Sequence, residues 1–188
     1  GHMHLYLYNI DGRFIRQIEK GKYDVDEVYG FDETTGKTYF QAAAKTPMQR
    51  EIYVADKNGK VTCLTTKDGW NSAVFSGDYK YFLNNWSDRN SPYSYAIYNN
   101  KGHIVREVLN NDALIKDMAK YDLPTRDFFK FTTSEGVQLN GWIVKPKNFD
   151  PNKKYPVIFY QYSGPGSQQV VDRWTLGAMG AGGIYESY

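Results

Sequence analysis

Hydrophobic and polar residues alternate along most of the first 110 positions, and the alternation keeps reversing at turns built from Asn or Asp plus Gly. Three segments share the pattern: LYLYNIDGRFIRQI, EIYVADKNGKVTCL and YAIYNNKGHIVREV. Period-two alternation on both sides of such a turn predicts a β-hairpin, because Gly and Asn accept the positive φ that tight turns impose. The turn glycines Gly12, Gly59 and Gly102 are 47 and 43 residues apart. A second hairpin pattern recurs out of phase with the first, in VYGFDETTGKTYFQA and AVFSGDYKYFLNN, with Phe31 and Phe75 separated by 44 residues.

Two hairpins in every forty-odd residues predict the four-stranded blade of a β-propeller. Residues 4–19 supply only a closing hairpin, 25–65 a full blade and 71–109 another. The expectation is a mainly β chain with about two and a half four-stranded antiparallel blades. That number cannot close a ring of four or more blades, so blade faces and strand edges should be exposed and favour association. After residue 109 the pattern changes. Leu114, Ile115 and Met118 fall at helical spacing, with Asn/Asp ahead of them as a cap and Pro124 behind as a stop. They predict a linking helix within 110–125. RDFFKFTTSEG and VQLNGWIVKPKNFD read as a hairpin turning at Glu135-Gly136. PVIFY lacks polar alternation and reads as a central strand buried on both faces.

Composition supports the β reading: 41% of the 188 residues are hydrophobic and 16% aromatic, with 17 tyrosines, types that suit pleated, half-buried surfaces. The net charge of +2 comes from interspersed charges, without the basic face that nucleic acid requires. No apolar run is long enough to cross a bilayer. Cys63 is the only cysteine, so no internal disulfide forms; in the strand-like KVTCLT it is expected to be a buried, inert thiol. The opening GHM, residues 1–3, reads as a cloning remnant.

The candidate chemistry lies in VIFYQYSGPGSQQ, residues 157–169. A phosphate loop needs a lysine after its second glycine, and none is present. A G-x-S-x-G nucleophile elbow is absent as well, and Ser163 and Ser167 read as turn residues. His2 and His4 adjoin the opening remnant, and His103 begins a strand. No Cys/His/carboxylate spacing suggests a metal, no serine and carboxylate motif accompanies His103, and no cofactor is expected. The acidic DVDE, Asp24 to Glu27, reads as a solvated strand edge. Trp70, Trp86, Trp142 and Trp174 read as core and blade packing rather than as sugar platforms. What remains is a strand entering a Gly/Pro loop. In α/β-hydrolases the loop after the third strand lines the oxyanion hole, where a donor stabilises the oxygen that becomes negative as the acyl carbon turns tetrahedral.

YPVIFYQYSGPGSQ, GWIVKPKNFDPNKKYPV and GHIVREVLNNDAL resemble the dipeptidyl peptidase IV branch of the prolyl oligopeptidase family, in its bacterial form, from about His4 to Trp174. The resemblance implies propeller blades over 4–109, the helix over 110–125, the first strands of an α/β-hydrolase sheet over 126–174, and an unassigned Gly-rich tail over 175–188. It implies a serine exopeptidase that releases N-terminal X-Pro or X-Ala dipeptides through a Ser-Asp-His triad, and it assigns Tyr162 as the hydroxyl donor to the oxyanion. A phenol suits that task because it keeps its proton until about pH 10. The triad, and the glutamate pair that binds the substrate amino terminus, are absent from this sequence, so the chain alone is expected to be inactive. The resemblance further implies a homo-oligomer in the periplasm or outside the cell. The alternative from the residues is a noncatalytic β-repeat module that binds protein or glycan. A propeller-bearing endopeptidase or acylaminoacyl peptidase of the same superfamily is the third possibility.

Overall fold

The computed structural model describes residues 1–121, 123–162, 164 and 166–175. Each repeat forms the hairpin its pattern predicts. Strands β1 (Tyr6–Tyr8) and β2 (Phe14–Gln17) make a two-stranded sheet; β3 (Val25–Asp32), β4 (Lys37–Ala42), β5 (Glu51–Ala55) and β6 (Val61–Cys63) make an antiparallel four-stranded sheet in sequential order. Strands β7 (Trp70–Phe75), β8 (Tyr81–Ser87), β9 (Ser94–Asn99) and β10 (Ile104–Leu109) make another. The helix α1 (Asp112–Met118) follows, then the hairpin β11 (Arg126–Thr132) and β12 (Gln138–Val144).

The three related turns are alike in their bonds as well as their letters. Asn9, Asp56 and Asn99 each accept, through the side chain, the backbone N–H four residues on, from Arg13 at 2.7 Å, Lys60 at 3.0 Å and His103 at 3.0 Å. The glycine three residues on has φ of 77°, 83° and 82° at Gly12, Gly59 and Gly102, a region where a side chain would be strained. One polar side chain and one glycine therefore fix each turn and, through it, the register of the strands.

The sheets stack. Phe40, Ala42, Tyr53 and Ala55 pack on Ile18, Leu5 and Leu7 of the first hairpin. Their alternate neighbours Tyr39, Ile52 and Val54 pack on Phe82 and Tyr98 of the next sheet. Strand β5 is buried along its whole length for this reason. Each large side chain so buried contributes about 1.5–3 kcal/mol relative to exposure. The outer sheet, β7–β10, has one covered face only: Val74, Val105 and Leu109 are exposed.

Several expectations are corrected. PVIFY forms no strand: Val157, Ile158 and Phe159 are 81%, 71% and 85% exposed. A doubly buried strand needs a neighbour at each edge, and none of the described strands pairs with this run. Cys63 is exposed, because β6 is a three-residue edge strand whose continuation, Leu64, takes the buried position. Helix α1 buries none of its residues, and Asn111 caps it through a left-handed backbone, φ 59°, without a side-chain cap bond. Asp26 is ion-paired with Arg50, and Asp24 accepts the Met3 N–H at 2.7 Å. DVDE nonetheless lies on the edge strand β3 with Asp26 and Glu27 exposed, as the solvated-edge reading expects. Ser163 and the tail from 176 onward lie outside the described residues.

Glu51 gives this stack a pH dependence. It is fully buried at the start of β5, with Oε2 accepting the Tyr53 hydroxyl at 3.1 Å and Oε1 without a hydrogen bond among the described residues. Burial pushes its carboxyl above the ordinary value of 4.5. The folded state then holds the proton more tightly than the unfolded one, so the contribution of Glu51 to stability falls as pH rises through and above 4.5. Glu51→Gln, which does not titrate, should match wild type near pH 3.5 or about there, and become the more stable protein by pH 7 in urea unfolding. A variant less stable than wild type at pH 7 would contradict this.

Candidate functional site

Tyr162 stands on the loop that follows the unpaired apolar run. Its side chain is 61% exposed, and its hydroxyl makes no hydrogen bond among the described residues. The ring folds back over Gly164: a Cβ built there would lie 3.1 Å from both ring Cε1 and the hydroxyl oxygen. Glycine at 164 thus leaves the space the ring occupies. The chain then turns, with the Ser167 N–H donating to the Gly164 carbonyl at 3.0 Å and Gly166 at φ 75°. Ser167 is a turn residue as expected, and Gln169 Nε2 donates to its hydroxyl at 2.8 Å.

Beyond the turn, residues 168–175 form a strap across the ends of both four-stranded sheets. Arg50 Nη2 donates to Gln168 Oε1 at 2.8 Å, and Gln168 Nε2 donates to the Pro47 carbonyl at 2.5 Å. Asp172, only 4% exposed, is held on every side. Its backbone N–H donates to the Met48 carbonyl at 2.8 Å. Its Oδ2 accepts Gln49 Nε2 at 2.9 Å, and its Oδ1 accepts the Arg89 backbone N–H at 3.1 Å and Nη1 at 3.2 Å. The Trp174 N–H donates to Ser87 Oγ at 3.1 Å, and the Tyr93 hydroxyl donates to the Trp174 carbonyl at 3.0 Å. Burying a carboxylate is tolerable only with such pairing.

Arg89 also holds the start of β11. Its Nε donates to the Arg126 carbonyl at 2.9 Å, while the Arg126 N–H donates to Asn90 Oδ1 at 3.1 Å and Arg126 Nη1 to Thr175 Oγ1 at 2.9 Å. The chain between residues 126 and 168 is thereby fixed to the β7–β10 sheet and its neighbour at both ends. Three of the four tryptophans meet cations instead of the core. Arg50 and Arg173 lie 4.7 and 5.1 Å from the Trp70 ring, Lys67 lies 4.5 Å from Trp86, and Arg126 lies 4.7 Å from Trp142. Such contacts contribute about 0.5–2 kcal/mol each, and these rings are half-buried on β7, β8 and β12, so they pack on the sheets as expected but not in the core.

The described histidines make no serine pair. His4 Nδ1 meets the buried Glu19 at 2.7 Å, and His103 sits exposed in the turn before β10. Chemically, the loop offers one exposed phenol donor at a fixed strap. Asp172, Arg89, Gln49 and Gln168 escaped the sequence reading. They are 83 to 123 positions apart in their contacts, and no local spacing signals such a pairing.

Stacked four-stranded repeats with a terminal hairpin define this chain as part of a β-propeller protein. Residues 1–93 match the family described as "Dipeptidyl peptidase IV (DPP IV) N-terminal region". The chain is 34% identical over 179 residues to dipeptidyl peptidase 4 of Arthroderma otae, and 31% identical to that of Trichophyton rubrum, covering 93% of this chain and 23% of each relative. The crystal structure of Porphyromonas gingivalis dipeptidyl peptidase 4 superposes with a TM-score of 0.87 at 39% identity, over 92% of this chain and 24% of that one. Over nearly its whole length the chain is thus similar to one stretch of dipeptidyl peptidase IV enzymes, and it spans about a quarter of the length of these relatives.

Limited trypsin digestion checks the strap. Lys153 and Lys154 lie exposed at and just after a turn, whereas Arg173 lies over the Trp70 ring, next in sequence to the buried Asp172. Cleavage after 153 or 154 should precede cleavage after 173 by about ten-fold or more in time. Equal rates would mean that the strap is not pinned.

Proposed function

We propose that this chain is the part of a serine exopeptidase that carries the last propeller blades (4–109), the linking helix (110–125) and the first hydrolase strands (126–174). The whole enzyme releases N-terminal X-Pro, and less readily X-Ala, dipeptides from peptides. The observation that carries the reading is the exposed Tyr162 hydroxyl on a loop fixed to the blades, together with the 39% identity to the Porphyromonas gingivalis enzyme over nearly the whole chain.

The serine, with its histidine and aspartate, comes from sequence outside these residues. Its hydroxyl attacks the carbonyl that follows proline, and the carbonyl oxygen takes up the negative charge. The Tyr162 O–H and the backbone N–H after the serine donate to that oxygen, the dipeptidyl group stays on the serine, and water then releases it. Tyr162 thus acts in the transition state more than in the bound substrate. The enzyme works as a homo-oligomer in the periplasm or outside the cell; no helix among the described residues is long and apolar enough to span a membrane. The exposed run Val157–Phe159 favours a second reading, a docking arm on a noncatalytic repeat module.

Hydrolysis of Gly-Pro-p-nitroanilide separates the two. The chain alone should give no turnover that a serine-directed phosphonate abolishes. The full-length protein should hydrolyse it, and Tyr162→Phe should lower kcat about 10²–10³-fold with KM nearly unchanged. A full-length protein without activity favours the module, and an unimpaired Tyr162→Phe enzyme removes Tyr162 from the mechanism.

A further inference from the structure

We propose that Asp172 is the positioning residue for the Tyr162 phenol: its buried carboxylate locks the strap to the seam between the two blades and so sets where the loop ten residues upstream presents its hydroxyl. This rests on the reading of Tyr162 as an oxyanion donor. The geometry behind it is specific to the seam. Asp172 takes Gln49 from the approach to β5 and Arg89 from the end of β8, so one carboxylate ties together two sheets that share no strand. Its own N–H is bound to Met48, so side chain and main chain are anchored together.

The lock reaches the loop from its downstream side and also holds the start of the segment that leads into it. Downstream of Tyr162, only the turn from Gly164 to Ser167 separates its ring from Gln168, which Arg50 and Pro47 hold. Upstream, the same Arg89 that pairs with Asp172 holds the Arg126 carbonyl where β11 begins. The segment just before Tyr162 cannot supply this reference, because Val157 to Phe159 pair with none of the described strands and lie exposed. The phenol is therefore referenced to the blades. Loss of the carboxylate leaves the Arg89 N–H and Nη1 and the Gln49 Nε2 without their acceptor and frees the strap, and the donor then samples positions away from the oxyanion.

The test is a double-variant cycle in the full-length peptidase. Asp172→Ala should lower kcat for Gly-Pro-p-nitroanilide about ten-fold with little change in KM, and in the Tyr162→Phe background it should cost almost nothing further, because both act through one hydroxyl. Asp172→Asn, which keeps an acceptor toward Arg89, should restore most of the rate. Hydrogen exchange should rise in 167–175 of Asp172→Ala while β4 and β5 stay protected, which separates loosening of the strap from unfolding. Multiplicative losses in the double variant, or unchanged exchange in 167–175, would overturn the assignment of Asp172 and leave the peptidase reading standing. An inactive unmutated enzyme would overturn both.

Discussion

A sheet with two apolar faces is stable only between neighbours, and that constraint organises this protein. Strands β4 and β5 direct Phe40 and Tyr53 to one side and Tyr39 and Ile52 to the other. Neither layer forms unless the flanking sheet is present. Stacking of this kind buries apolar surface without requiring strands of different blades to hydrogen-bond, and it leaves the last sheet, β7–β10, with an uncovered face. It also creates seams where the ends of adjacent sheets lie side by side, and the strap is fastened at such a seam.

The strap changes how the candidate site is to be understood. The proposed donor role of Tyr162 requires its loop to be held within a fraction of an ångström, yet the run leading into it pairs with none of the described strands. The compensation is polar and distant in sequence: Arg50 on Gln168, Arg89 and Gln49 on Asp172, Ser87 and Tyr93 on Trp174. The loop and the blades are thus tied together through these contacts.

The hairpins were legible in the sequence because their determinants are local. An Asn or Asp, a glycine three positions later and period-two alternation suffice to place β1–β2, β5–β6 and β9–β10. The Glu135-Gly136 turn was legible for the same reason, with Gly136 at φ 82°. PVIFY misled because apolar content measures what a strand needs, whereas pairing depends on which neighbours are there. The tryptophans were legible as packing residues, but their cation partners were not, because hydropathy does not distinguish a ring under a guanidinium from a ring in the core. Tyr162 was singled out by resemblance; the Asp172 anchor was invisible because its partners come from other sheets.

The most direct test of the account is the structure of the full-length protein inactivated by a Gly-Pro phosphonate, whose tetrahedral phosphorus carries an oxygen where the oxyanion develops. The account predicts the Tyr162 hydroxyl about 2.7–3.1 Å from that oxygen, with the strap still seated through Asp172 on Arg89 and Gln49. A phosphonyl oxygen held entirely by other donors, with the phenol turned away, would contradict it.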